Sequence, residues 1–116
     1  MTLNPDVNLQ DQIGRTALHY ACRAGKLDTF GVLANLEEID LDSVTNAGVT
    51  PLMMAIESGN IELVAEALNA NLNPFLADAL GRNSLDYASQ YRNVKGHDMR
   101  QLIETAMQQW REQTTE

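Results

Sequence analysis

Apolar positions along this chain fall into short helical stripes separated by glycine-bearing turns. Leu18, Ala21 and Cys22 share one face at helical spacing, and Leu52, Ala55 and Ile56 repeat the arrangement further on. Leu85 and Ala88 begin it a third time. A second stripe follows each of the first two: Leu27, Phe30, Leu33 and Ala34, then Ile61, Val64, Ala67 and Leu68. The longest stripe, Met99, Leu102, Ile103, Ala106, Met107 and Trp110, predicts a last helix from about Asp98, its N-cap, to Trp110. Arg100, Gln101, Glu104, Gln108 and Arg111 make the polar back of that helix. Thr16, Thr50 and Asn83 stand where a side-chain oxygen would cap a helix start, and Pro51 stands at a first helical position, where a missing N–H costs nothing. Gly25 and Gly59 are expected to end the first helices by taking positive φ. Arg92 holds that place in the third unit, ahead of Asn93 and Gly96, so the turn there is predicted to be longer or shifted. His97 reads as part of an exposed Gly-His-Asp turn.

The stripes belong to a longer period. Residues 11–21, 45–55 and 78–88 are worded almost alike, and Gly14, Gly48 and Gly81 lie 34 and then 33 residues apart. Such a period means stacked supersecondary units. The shared wording, G-x-T-P/A-L-x-x-A, resembles the ankyrin repeat from about Asn4 to Gln108. The resemblance implies an all-α solenoid of about three helix-turn-helix repeats with hairpin-like loops and a longer C-terminal capping helix. One domain, 1–116, would hold repeat one at about 11–44, repeat two at about 45–77, and repeat three with the last helix at about 78–113. It also implies that His19 hydrogen-bonds between neighbouring loops, a place taken by Met53 and Asp86 in the other repeats. Extra residues around Leu36-Glu37-Glu38-Ile39 should lengthen the second helix of repeat one or its exit. Asn4-Pro5-Asp6-Val7-Asn8 resembles the tail of a preceding unit, which leaves the outer face of repeat one without a visible cap. Self-association or a neighbouring subunit is one expected cover for that face; a longer parent array is the other.

Composition narrows the partners. The net charge is -8, and no Lys or Arg occurs between Lys26 and Arg82. That balance argues against nucleic acid and against anionic membrane surfaces, both of which call for basic clusters. A solvated acidic surface is the favoured reading, and an acidic strip facing a basic partner is the alternative. Cys22 is the one cysteine, so no internal disulfide exists and a reducing compartment fits. Met1-Thr-Leu-Asn-Pro5 lacks the charged start and apolar run of a signal peptide. The expected location is cytoplasmic or nuclear.

Catalytic chemistry finds no support. His19, His97 and Cys22 do not make a zinc set, and no base pairs with Cys22, which stands where the family places a small buried residue. The glycines are single turn residues, not a phosphate loop. The acidic run Glu37-Glu38-Ile39-Asp40-Leu41-Asp42 lacks the order of a calcium loop. No enzyme activity, cofactor or metal is expected.

The resemblance places partner binding on a concave side made by loop tips and first helices. Carried onto this chain, the candidate residues are Ile13, Arg15, Arg23, Val49, Glu57, Leu80, Arg82 and Tyr91. Ile13, Val49 and Leu80 are taken as an exposed apolar row flanked by Arg15 and Arg82, the composition of an interface hot spot. The expected function is a non-catalytic protein-protein interaction module: an adaptor, inhibitor or subunit. The alternative is a structural subunit of a large assembly, or the terminal fragment of a longer ankyrin array. Trp110 with Met107 is a second surface, read chiefly as completing the cap.

Overall fold

The computed structural model describes residues 6–114, so Met1 to Pro5, including the Asn4-Pro5 start of the tail, lie outside the described residues. Among the described residues six helices follow one another: α1 (Ala17–Arg23), α2 (Leu27–Ala34), α3 (Pro51–Ser58), α4 (Ile61–Asn69), α5 (Ser84–Ala88) and α6 (Val94–Thr114). They form three pairs, α1 with α2, α3 with α4, and α5 with α6. The first helices make one layer, α1 on α3 on α5, and the second helices make another, α2 on α4 on α6. This is an all-α solenoid, with no strand among the described residues.

Local chemistry starts each pair as anticipated. The side chains of Thr16, Thr50 and Asn83 accept the N–H of the residue three further on, and Pro51 opens α3. Gly25 and Gly59 take positive φ, 69° and 80°. Asn60 caps α4 through the Leu63 N–H and donates its amide to the Gly25 carbonyl at 3.0 Å, tying two pairs together.

The middle pair is buried on more sides than one stripe can show. Pro51 to Ile56 are all buried, and so is Leu63, because α3 and α4 each lie between two neighbours. A helix sandwiched this way is apolar around most of its girth. The first pair has a different outer side. Thr29 stands at the place of Leu63, and Ala17 at the place of Pro51; both are exposed. The face expected to lack a cap therefore carries small and polar residues beside Tyr20.

The last helix departs from expectation at its start. It begins at Val94, not at Asp98, and His97 sits inside it rather than in a turn. Asn93 makes the start: its Oδ1 accepts the Gly96 N–H at 3.3 Å and its carbonyl accepts the His97 N–H at 3.2 Å. Gly96 is buried against the Tyr91 backbone, where an added Cβ would come within 1.9 Å of the Tyr91 carbonyl oxygen. The turn between α5 and α6 is accordingly displaced, and α5 is cut to five residues. Met99, Ile103, Ala106 and Met107 are buried as the stripe requires. Trp110 meets Phe75 edge-on with ring centroids 6.5 Å apart, so it closes the cap within the chain. The surplus around Leu36 to Ile39 lengthens the exit of α2, not the helix.

Candidate protein-binding face

The hairpins ahead of α1, α3 and α5 are built from one recipe. Within each, the first residue donates its N–H to the carbonyl four residues on: Asp11 to Arg15, Thr45 to Val49, Asp78 to Arg82, at 2.9, 3.0 and 2.9 Å. The side chain of that first residue then accepts two N–H groups, Ile13 and Arg15 on Asp11, Ala47 and Val49 on Thr45, Leu80 and Arg82 on Asp78. Neighbouring hairpins join edge to edge. Asn46 N–H donates to the Ile13 carbonyl at 2.9 Å, and Ala79 N–H to the Ala47 carbonyl at 2.8 Å. His19 adds a cross-link: its Nε2 lies 2.8 Å from the Val49 carbonyl, while Nδ1 lies 3.1 Å from the Thr16 backbone N. Those partners require a neutral ring with the proton on Nε2. Burial holds its pKa below the ordinary value. The structural role implied for His19 is the one it fills.

This ladder separates the predicted site residues into two registers. Ile13 and Leu80 precede the turn glycines, in line with Ala47; Val49 follows its glycine, in line with Arg15 and Arg82. The expected row of Ile13, Val49 and Leu80 is therefore not one row. Val49 is half-buried and packs against the core, because its carbonyl is drawn in by His19. Ile13 and Leu80 stand exposed at the tips, 46% and 77%. Arg23 and Glu57 are exposed at equivalent positions of α1 and α3. Tyr91 is half-buried: its hydroxyl donates to the Glu57 carbonyl at 2.7 Å, and Lys95 lies 5.8 Å from its ring centre. Its role is to join the second and third pairs.

Arg15 and Arg82 are also engaged. Arg82 Nε donates to Asp78 Oδ2 at 2.8 Å, and Tyr87 hydroxyl donates to the same oxygen at 2.6 Å. Burial pushes the Asp78 carboxyl up, but the Tyr87 hydroxyl, the Arg82 donors and the Leu80 N–H outweigh it and bring its pKa to about 2. Asp11, Arg15 and Tyr20 repeat the cluster in the first hairpin. Tyr20 hydroxyl donates to Asp11, and the Arg15 guanidinium lies 5.5 Å from the Tyr20 ring centre. The Tyr20 bond comes first among the causes that lower the Asp11 pKa. Asp, Arg and Tyr recur at the same offsets in residues 11–20 and 78–87, a repeat visible in the sequence that brings Asp11, Tyr20, Asp78 and Tyr87 to the site beside the predicted Arg15 and Arg82.

Burial pushes the Cys22 thiol up to about 12, so it packs as a small hydrophobe. Among the described residues no cluster of His, Cys, Asp or Glu could hold a metal ion. The acidic run is spent on loop geometry: Asp40 Oδ1 accepts the Asp42 N–H, and Asp42 Oδ1 accepts the Asn73 N–H at 2.9 Å. A groove of about 500 Å³ lies between α4 and α6, floored by Ile61, Leu68 and Leu102. It lies in the second-helix layer, away from the hairpins.

Comparison with known proteins agrees with this geometry. A family model described as "Ankyrin repeats (3 copies)" matches residues 1–73. The chain is 35% identical over 89 residues to neurogenic locus notch homolog protein 1 of Danio rerio, and 34% identical over 90 residues to neurogenic locus notch homolog protein 2 of Homo sapiens. These matches cover 77% and 78% of the chain but only 4% of each relative. The crystal structure of an ankyrin repeat domain from Acinetobacter baumannii AYE superposes with a TM-score of 0.78 at 29% identity, covering 89% of this chain and 53% of that one. On repeat wording, fold and matched span together, the chain belongs to the ankyrin-repeat family.

Proposed function

We propose that this chain is a non-catalytic module that binds a protein partner through its hairpin tips and the exposed positions of its first helices. The observation that carries the reading is the surplus of unspent side chains on that side. Ile13 and Leu80 are exposed apolar tips, and Arg23 and Glu57 are exposed beside them. Arg15, Arg82 and Tyr91 set the edges of the surface and keep it rigid, and Val49 supports it from beneath. A rigid platform with a few large exposed groups is what a specific interface needs. An acidic chain, net -8, selects a basic partner surface over a nucleic acid or an anionic membrane. The single buried thiol accords with a cytoplasmic or nuclear setting.

Affinity capture with mass spectrometry tests this. Wild type is compared with the Ile13→Ala, Arg23→Ala, Leu80→Ala triple variant, chosen because these side chains are exposed. The partner is expected to be lost from the variant at unchanged melting temperature. Equal recovery on both baits refutes the assignment.

A second reading rests on Tyr20. It is 47% exposed where its counterpart Tyr87 is 2% exposed beneath the preceding pair. A second copy or a neighbouring subunit seated on α1 would bury it. Sedimentation across a concentration series decides: a monomer at every concentration, with Tyr20 fluorescence unchanged in cell extract, removes this reading.

A further inference from the structure

The hairpin ladder has one rung that nothing in the described residues occupies. Each of the first two hairpins is covered tightly by the next. A Cβ built on Gly14 would lie 2.8 Å from the Asn46 backbone N, and one on Gly48 would lie 2.9 Å from the Ala79 backbone N. Gly81 keeps the same left-handed backbone, φ 80°, yet a Cβ there meets nothing within 4 Å. The carbonyl series runs the same way. Ile13 and Ala47 each accept an N–H from the following hairpin, and the Leu80 carbonyl, next in register, has no donor among the described residues. The last helix does not fill the gap, since α6 packs on α4 and α5.

The side chain at the gap says what would fit. Asp86 occupies the place of His19, whose Nε2–H reaches the Val49 carbonyl of the next hairpin. Asp86 is exposed, and its Oδ2 accepts the Asn83 N–H at 3.0 Å. A repeat hairpin would present a carbonyl there, and a carboxylate cannot bond to a carbonyl. The second rung closes with the neutral Met53 at this place, so a missing donor alone does not bar a hairpin; it is the negative charge of Asp86 that repels a facing carbonyl and favours a segment that presents a donor.

We propose that the open edge from Leu80 to Asp86 docks an extended or tight-turn segment of a protein partner. That segment donates a main-chain N–H to the Leu80 carbonyl and sets a Lys or Arg side chain against the Asp86 carboxylate. Main-chain pairing supplies adhesion, as in strand addition to a sheet edge, and the charge-assisted bond supplies selectivity. The inference rests on the proposal that the hairpin side is the binding face, and narrows it to one edge and one chemistry.

The probe is a phage-displayed library of random twelve-residue peptides selected on the full chain. Synthetic copies of the enriched peptides are then titrated into isotope-labelled protein. Enriched peptides are expected to contain Lys or Arg and to shift the amide signals of residues 79–86. Asp86→Lys should weaken them tenfold or more, and replacing the peptide's Lys or Arg by Glu should restore binding to that variant. Asp86→Asn, which can still accept the Asn83 N–H, should weaken them while leaving α5 intact. Peptides that shift Ile13, Arg23 and Glu57 but spare residues 79–86 overturn the rung and leave the wider face standing. Peptides that ignore both variants, dimers that form through this edge, or a selection that enriches nothing also overturn it.

Discussion

His19 is tied at both ring nitrogens and sits fully buried, so every change to it is felt by two hairpins at once. Burial lowers its pKa in the folded chain, while the unfolded chain titrates near 6.5. The unfolded state then binds more protons just below that value. Stability contributed by the neutral ring is fully present above pH 6.5 and is lost as pH falls toward the folded pKa. Urea midpoints across pH 5 to 8 should show that decline in wild type and lose it in His19→Phe. That variant also strands the Val49 carbonyl and the Thr16 N–H, at a cost of about 1–3 kcal/mol. Asp78 acts in a lower window: its folded pKa of about 2 lies below the ordinary 3.8, so its contribution is present above pH 3.8 and lost on further acidification. Asp78→Asn keeps an acceptor for the Leu80 and Arg82 N–H groups but gives up the charged bonds, for a loss of about 2 kcal/mol in urea unfolding at neutral pH. Gly48 and Gly81 offer a paired comparison at one backbone conformation. Gly81→Ala meets open space and should cost only left-handed strain, about 1–2 kcal/mol. Gly48→Ala must also push Ala79 away, so its melting temperature should fall further than that of Gly81→Ala.

Among the elements, α6 is where sequence and structure part. Its buried stripe was legible because Met99 to Trp110 keeps helical spacing without interruption. Its start was not, because Gly96-His97-Asp98 has the composition of a turn, and only the packing shows why glycine is required there. With the Tyr91 carbonyl within 1.9 Å of any Cβ, Gly96 lets α6 cross close to the α5 exit. Gly96→Ala should therefore shift the first turn of α6, break the Tyr91 to Glu57 bond and lower the melting temperature by far more than helix propensity would raise it. Loss of amide exchange protection in residues 94–100 would report that directly. A single-stripe reading also undercounted α3 and α4. Met53, Met54 and Leu63 are buried because helices lie on both sides of them, and one chain's periodicity does not reveal a second neighbour. The caps at Thr16, Thr50 and Asn83 were read correctly, since capping depends on residues three apart.

At the scale of the molecule, the repeat phase carries the account. One period aligned Gly14, Gly48 and Gly81, and the structure turns that alignment into a row of hairpins joined by Asn46 and Ala79. The exposed side of the hairpin tips and first helices was legible as a region but not residue by residue. Counting from each glycine separates Val49 from Ile13 and Leu80, and reading all three as large apolar tips hid that offset. The engagement of Arg82 with Asp78 and Tyr87 leaves a trace in the sequence, the Asp-Arg-Tyr spacing shared with residues 11–20, but the buried oxygen that joins loop to helix comes from the packing. What remains exposed is a platform at the hairpin tips and first helices, with a separate groove between α4 and α6. The two surfaces make opposite predictions for a bound partner. Hydrogen–deuterium exchange of the chain with and without its captured partner therefore tests the account most directly. Protection is predicted at residues 12–15, 46–49 and 79–86 and around Arg23 and Glu57. Protection confined to α4 and α6, with the hairpin tips exchanging as in the free chain, would contradict it.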